Sequence, residues 1–443
     1  MSKDDIRCRN CLAALAADWT EMEFRMLSTL LRRAMQISRR LYVRVLLIAC
    51  LNLVVLVLAK VLDPLIPAGA SDAIGAKAVD PILQTLASSM LAVTIFSLTI
   101  MTGAFRTASS QWSPRTHVIL KDDTTTHSVL STFVGAYLFA LLAIVLRASH
   151  FFGEKEIVVL FAFTICVIAL IVISLVRWIA HLEELGSLDK TADQVQARAT
   201  RAMRAVGKQP CLGAQVLSDP EAVARAGFTP VHARKAGYVQ QVFVARLQTC
   251  AEAEEVRIYV TAMIGGYVQA GGVLGYCDGI GEVSQAARVL RESILIDSVR
   301  SFQQDPGFGL LVLGEIASRA LSPGINDPET AVAMAHRLAT VLLLAAPSGG
   351  EGDPEPELDR VWLRPPDLDG FCRDSFDRIA RDAGDKVEVH LAIAQALHGV
   401  TEAESPALAA AARACAGRCA ARAKKALADD PDLDRYLSAI AAR

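Results

Sequence analysis

The sequence predicts an α-helical membrane protein, with a four-helix transmembrane region followed by a mixed α/β cytosolic domain that is mainly helical and holds a small β module. Three observations predict it. Mean hydropathy is +0.35 although 21% of the 443 residues are charged. Four apolar runs each approach the ~20 residues that a helix needs to cross a bilayer. After residue 178 the chain turns polar and remains long enough to fold around a core of its own. A net charge of −2 provides no global basic field for nucleic acid, and ten cysteines are too sparse for a disulfide-stapled secreted scaffold.

Residues 1–40 open with an apolar stripe. Leu12, Leu15, Trp19, Met22, Met26, Leu30 and Ile37 recur at helical spacing, and basic residues crowd the far end. That pattern suits an amphipathic helix lying on the inner membrane face, or one covering the protein's own domain.

The spans are placed at 41–59, 82–104, 128–146 and 157–176. Five arginines between Arg25 and Arg40 precede the first, and Arg106, Arg115 and Lys121 follow the second. Lys60 and Lys77 between the first two are diluted by Asp63, Asp72 and Asp80. The basic bias predicts both termini in the cytoplasm. No signal-peptide pattern opens the sequence, so the first span is expected to act as its own targeting signal. No acidic and no central basic residue lies within a span, which argues against a proton-coupled pump. Thr85, Ser88, Ser89 and Thr99 share one face of the second span, and Ser131 and Thr132 one face of the third. Such faces serve close helix packing or line a narrow pore. Asn52 is the lone amide of the first span and is expected to bond a neighbouring helix.

Residues 179–227 read as a helical stalk and linker, broken between Gly207 and Pro220. Residues 228–278 form the β-rich module: short β-favouring runs at Val231–Ala233, Tyr238–Val244, Val256–Met263 and Val273–Tyr276, with one helix at Ala245–Glu255. Gly237-Tyr238-Val239-Gln240 returns as Gly266-Tyr267-Val268-Gln269. These hairpins are similar to the barrel-sandwich fold of biotinyl and lipoyl modules. No lysine lies between Lys235 and Lys386, however, so no cofactor is expected to be carried there. Residues 279–346 are read as helices, Val283–Phe302, Phe308–Leu321 and Pro328 to about Leu344. Residues 347–443 are a linker and C-terminal helices, with Val361–Pro366 a short strand or turn and an alanine-rich end that is a partner helix or a tail.

The distinctive stretch is Ser322-Pro323-Gly324-Ile325-Asn326-Asp327-Pro328, where Pro323 and Gly324 stop one helix and Asp327-Pro328 starts the next. With Arg319, Asp305, Phe308-Gly309, the Ser109-to-Arg115 segment and the Gly-Tyr-Val pair, it resembles a bacterial family of predicted integral membrane proteins with a domain of unknown function. The resemblance runs over roughly residues 40–345 and departs at Glu329, where an aromatic is usual. It implies four spans and a cytosolic C-terminal domain, and it assigns no activity.

Site candidates follow from residues that the local turn leaves unexplained. Asn326 comes first, with Asp327, Ser322, Arg319 and Asp305 as further ligand-binding candidates. Ser322 and His336 lack a nucleophile-elbow context, so no catalytic group is assigned and the chain is not read as an enzyme. Arg319, Glu315, Arg300 and Asp305 lie near one another in sequence and suit either an anionic ligand or structural ion pairs. Cys8-x-x-Cys11 and the Cys415/Cys419 pair lack further ligands, so no metal is expected. No phosphate loop occurs, and Gly271-Gly272-Val273-Leu274-Gly275 lacks a following helix. The expected function is an oligomeric channel or flux-controlling protein with a cytosolic regulatory collar. The alternative is a membrane-anchored sensor or scaffold whose cytosolic domain binds a ligand or protein partner. The expected partners are the lipid bilayer and further copies of the chain, with no nucleic acid.

Overall fold

The computed structural model describes residues 79–111, 123–149, 156–184, 187–278, 285–346, 356–428 and 430–442, together with Val43 and Arg115. The expected N-terminal helix, the first span with Asn52, Cys8 and Cys11, residues 112–114 of the Ser109-to-Arg115 segment and most of the linker after Ala346 lie outside these residues. The chain divides into two compact units, residues 1–106 with 120–187, and residues 107–119 with 188–443.

In the first unit, three of the four apolar runs form helices: α1 (Val79–Gln111), α2 (Thr124–Ala148) and α3 (Glu156–Glu184). Each is long and apolar enough to cross a membrane, over Val79–Thr107, Thr125–Ala148 and Ile157–Leu182. Half of the α2 window is buried, against 22% for that of α1 and 28% for that of α3. Leu83, Leu86 and Met90 of α1 and Leu160, Ile171 and Trp178 of α3 close on Phe133, Ala136, Phe139, Ala140 and Ala143 of α2. Ile95, Phe96, Leu170, Val172, Ile173 and Val176 face outward, an apolar surface suited to lipid rather than water.

Ion pairs fix the antiparallel order of the three helices. At one end Arg147, in the last turn of α2, forks Asp80 in the first turn of α1 (Nε–Oδ1 2.5 Å, Nη2–Oδ2 2.8 Å). At the other end Asp123 caps α2 through the Thr125 amide and pairs with His181 of α3 (2.5 Å). Burial alone would raise the Asp123 carboxyl, but hydrogen bonds from His181, Thr126 and the Thr125 amide, with the His181 charge, outweigh it and hold it at about 2.

The second unit combines a helical core with two small sheets. Its elements run α4 (Leu188–Lys208), β1 (Gln215–Val216), α5 (Pro220–Arg225), β2 (Thr229–His232), β3 (Gly237–Val242), α6 (Val244–Ala253), β4 (Ile258–Val260), β5 (Tyr267–Val268) and β6 (Val273–Cys277). They continue with α7 (Gln285–Ser293), β7 (Ile294–Asp297), α8 (Pro306–Ala320), α9 (Pro328–Leu342) and β8 (Val361–Leu363). The chain then enters α10 (Leu368–Cys372), a π-helical turn at Arg373–Asp377 and α11 (Arg378–Asp382), followed by α12 (Val387–Thr401), α13 (Pro406–Ala426) and α14 (Asp432–Ala441).

One sheet has the order β1-β8-β4-β6-β2 and the other β5-β3-β7. Strand β8 pairs parallel with β1 and with β4, an arrangement that needs long connections rather than hairpins. The β structure therefore extends beyond 228–278 and is not a barrel-sandwich of hairpins. The repeated Gly-Tyr-Val segments pair antiparallel with each other, Gly237 opposite Val268 and Tyr238 opposite Tyr267, with the two rings edge to face at 5.1 Å. Residues 294–297 are strand, not the end of a helix reaching Phe302. Ile294 and Ile296 face the core while Leu295 and Asp297 face out, a period of two in β-branched residues that overrides the helical reading.

Helix α4 is a core helix rather than a free stalk. Ala192, Val195, Ala199 and Met203 fall on one stripe and bury against α8 in the same core as α9 and the C-terminal helices. The alanine-rich end is likewise structural: Leu408, Ala412, Cys415 and Cys419 of α13 belong to that core, and Tyr436 of α14 closes its edge with Val387 and Leu427.

Candidate functional site

The Ser-Pro-Gly-Ile-Asn-Asp-Pro stretch forms the turn between α8 and α9. Ser322 donates its hydroxyl and its N–H to the Arg319 carbonyl (2.6 and 3.1 Å). Asn326 N–H bonds the Ser322 carbonyl at 2.8 Å, and Asp327 N–H reaches back to the Ala320 carbonyl at 2.8 Å. Asp327 then caps α9 through the Thr330 amide (3.1 Å) and hydroxyl (2.5 Å), with Pro328 at the first helical position. Asn326 has φ +50°, and asparagine is among the few side chains that adopt this left-handed conformation readily. Its identity thus follows from the backbone, which the sequence alone left open. Arg319 contributes its carbonyl to the turn and keeps a half-buried side chain, while Ile325 stands 44% exposed at the tip.

This geometry separates two roles for Asn326 by experiment. Asn326→Gly is expected to leave the unfolding free energy within a few tenths of a kcal/mol, whereas Asn326→Val costs about 1–2 kcal/mol in chemical denaturation, because a β-branched apolar side chain crowds the left-handed backbone and lacks the local polar bonding of asparagine. A stable Asn326→Gly protein that has lost its cellular role would assign the amide to a ligand.

Asp305 does not join the turn. It sits at the opposite end of the 15-residue helix α8, ~22 Å away at 1.5 Å per residue. There it is 2% exposed, caps the Phe308 amide (3.1 Å) and takes both arms of Arg300 (2.7 and 2.8 Å). Glu315 is drawn elsewhere again, to Arg115 and Arg378. His336 is exposed on α9, and the Ser322 hydroxyl is engaged with the Arg319 carbonyl, so these two residues form no nucleophile–base pair.

The membrane hydroxyls bond back to their own helices. Thr85, Ser88, Ser89 and Thr99 donate to the carbonyls of Pro81, Gln84, Leu86 and Ile95, and Ser131 and Thr132 to those of His127 and Ser128. They do not share one surface. Thr85, Ser88 and Thr99 lie exposed on α1, Ser89 and Thr132 are half-buried, and Ser131 is buried within the helix bundle.

Two further features come together only in three dimensions. A cavity of about 290 Å³ lies between α12, α13 and α14, walled by Leu397, Ala420 and Ile440 with His390, His398 and Cys419 among its polar groups. His390 donates its Nε2–H to the Gly384 carbonyl (2.9 Å), and burial pulls its imidazole below the usual range. Beside the cavity wall, Asp377, Cys415 and Cys419 bring one carboxylate and two thiols within 4.8 Å of one another, all buried. The i, i+4 spacing of Cys415 and Cys419 marks their shared helix face, but Asp377 arrives from a different helix.

Comparison with known proteins adds the context. A family model described as "Predicted membrane protein (DUF2254)" matches residues 38–399, most of the chain. The chain belongs to this family. The DUF2254 match takes in all three described membrane helices, both sheets and the α8–α9 turn, and it ends within α12. Uncharacterized proteins of Mycobacterium bovis and of two Mycobacterium tuberculosis strains are 29% identical over 320 residues, covering 70% of this chain and 60% of each relative. The match thus spans about 60% of the length of these curated DUF2254 relatives. No solved structure matches the chain.

Proposed function

We propose that this DUF2254 protein is a membrane-anchored sensor whose second unit lies in the cytosol and receives a small, mainly apolar ligand, while the membrane helices anchor and assemble it. The cavity between α12, α13 and α14 carries the reading. It offers an apolar chamber with a few polar groups, the usual composition of a small-molecule site. In the described membrane helices Leu83, Phe133, Phe139 and Leu160 are buried against one another, and hydroxyls such as those of Ser131 and Thr164 bond their own backbone.

Chain order supports the orientation. With α2 and α3 each crossing the membrane once, the stretch between α1 and α2 and the chain after α3 stand on the same side. The basic flanks of the sequence assign that side to the cytoplasm. With a further span at 41–59, the N-terminus also falls there.

An oligomeric channel is the second reading, favoured by the exposed hydroxyls of Thr85, Ser88 and Thr99 along α1. Further copies of the chain would have to enclose the pathway. The two readings part in one pair of measurements on the full chain. Saturable binding of 1-anilinonaphthalene-8-sulfonate, an anionic fluorophore with an apolar aromatic body, lost in a cavity-filling Ala394→Trp variant that still folds, with K⁺ and Cl⁻ flux at background in proteoliposomes, is the expected result. Flux that changes in Ser88→Val or Thr99→Val, with no effect of Ala394→Trp, would establish the channel instead.

A further inference from the structure

We propose that Asp377, Cys415 and Cys419 form a binding site for one thiophilic divalent cation, best matched by zinc(II). This goes beyond the sensor reading and does not depend on it, because the site is defined by its own donor geometry.

Cys415 and Cys419 lie on one face of α13 with their sulfur atoms 4.0 Å apart, and Cys419 Sγ is 3.6 Å from Asp377 Oδ1. Zinc–sulfur bonds of about 2.3 Å and zinc–oxygen bonds of about 2.0 Å at tetrahedral angles require edges of roughly 3.8 Å between sulfurs and 3.5 Å between sulfur and oxygen. Both edges that meet at Cys419 therefore stand within a few tenths of an ångström of those of a tetrahedral face, and the third, from Cys415 to Asp377, closes within 4.8 Å. The two thiols are neighbours because they share a helix face, but a buried carboxylate needs partners, and Asp377 finds them in Arg418 and the sulfurs.

The surroundings complete the case. Arg418 Nε holds Asp377 Oδ2 at 2.7 Å and so leaves Oδ1 turned to the sulfurs, as an outer hydrogen bond orients a metal-ligating carboxylate. Two thiolates and one carboxylate carry three negative charges, which a divalent ion and the Arg418 guanidinium neutralise. Arg418 also bonds Asp369 (3.1 Å), and its Nη2 is buried without a partner among the described residues. Asp377 ends the π-helical turn Arg373–Asp377, a local insertion of the kind that often re-aims a side chain at functional sites. Hydrogen bonding to Cys415 and burial push the Cys419 thiol far up, and burial takes the neighbouring Cys372 to about 12. Binding would release the two thiol protons to solvent. Three protein donors leave the fourth tetrahedral position free for an exogenous ligand, as in zinc sites that do more than hold a fold together.

The test uses the full chain in detergent, reduced and stripped with chelator, in a Cys8→Ser/Cys11→Ser background that removes the other closely spaced cysteine pair. Titration with cobalt(II) is expected to saturate at one ion per chain with a thiolate-to-cobalt charge-transfer band, which zinc(II) then displaces. Cys415→Ala and Cys419→Ala are each expected to abolish the band and weaken binding about 100-fold or more, while Cys211→Ala and Cys277→Ala leave it unchanged. Alanine already fills most of α13, so the first two variants should fold, with circular dichroism as the check. If either does not, zinc X-ray absorption on the parent decides: two sulfurs at about 2.3 Å support the site. Absence of a thiolate band or of a sulfur shell, or a band that survives both alanine substitutions, would overturn it.

Discussion

Asp305→Ala is expected to destabilise the second unit by about 3–5 kcal/mol, the range for removing one partner of a buried ion pair. Asp305 is 2% exposed and Arg300 grips both of its oxygens. Without the carboxylate, the guanidinium would stay wedged over the Phe308 ring at 5.6 Å with no counter-charge. The same carboxylate caps α8 at the Phe308 amide, and losing a cap costs about 1 kcal/mol on its own. Gly265, at φ +80°, passes so close that a Cβ there would lie 2.5 Å from Asp305 Oδ2, so the backbone of the β unit is shaped around this group. Asp305→Asn keeps the capping oxygen and should fall between wild type and alanine. Denaturant melts of the full chain in detergent measure the order. An alanine variant within 1 kcal/mol of wild type would show that the pair is dispensable.

The second large effect is one of sign. Gly309→Ala in an ordinary helix would stabilise by about 0.8–1.0 kcal/mol. Here it is expected to destabilise by about 1–3 kcal/mol, because the added methyl has nowhere to go. A Cβ at 309 would sit 3.0 Å from the Ala199 Cα and closer still to its Cβ, so α4 and α8 meet almost backbone to backbone. Moving the methyl across the interface gives the control. Ala199→Gly costs stability alone, yet combined with Gly309→Ala it should recover much of the Gly309→Ala loss. A double-mutant cycle with additive losses would mean that the two helices do not touch there.

The legibility of the fold varied from segment to segment for physical reasons. The apolar runs at 82–104, 128–146 and 157–176 were plain because lipid demands unbroken hydrophobicity, and their helices exceed those bounds by several residues. The α8–α9 turn was also plain, since proline, glycine and an aspartate cap act through their own local backbone. Residues 294–297 carry a helical pattern in the sequence because a strand of four residues is too short to outweigh the helical run before it. β8 was left open between strand and turn, since three residues gain strand geometry only by pairing with β1 and β4.

The candidate residues divide on the same line. Arg319, Ser322, Asn326 and Asp327 meet in the turn because they are neighbours in the chain, whereas Asp305 is held a whole helix away. The Cys415/Cys419 pair was visible as a helix face but dismissed for want of further ligands, and Asp377, 38 positions before Cys415 in the sequence, supplies the third donor only when the π-helical turn meets α13.

By itself the sequence determined membrane insertion, the helical character of most of the chain, and the family through the Ser-Pro-Gly-Ile-Asn-Asp-Pro string and its companions. These depend on hydropathy and local backbone preference, which each segment carries alone. Only the tertiary structure decided that α4 is core, that the Gly-Tyr-Val copies pair with each other, and that a carboxylate joins two thiols beside a cavity. Each of these is a long-range contact, and its energy comes from burying surfaces that no single segment can bury by itself.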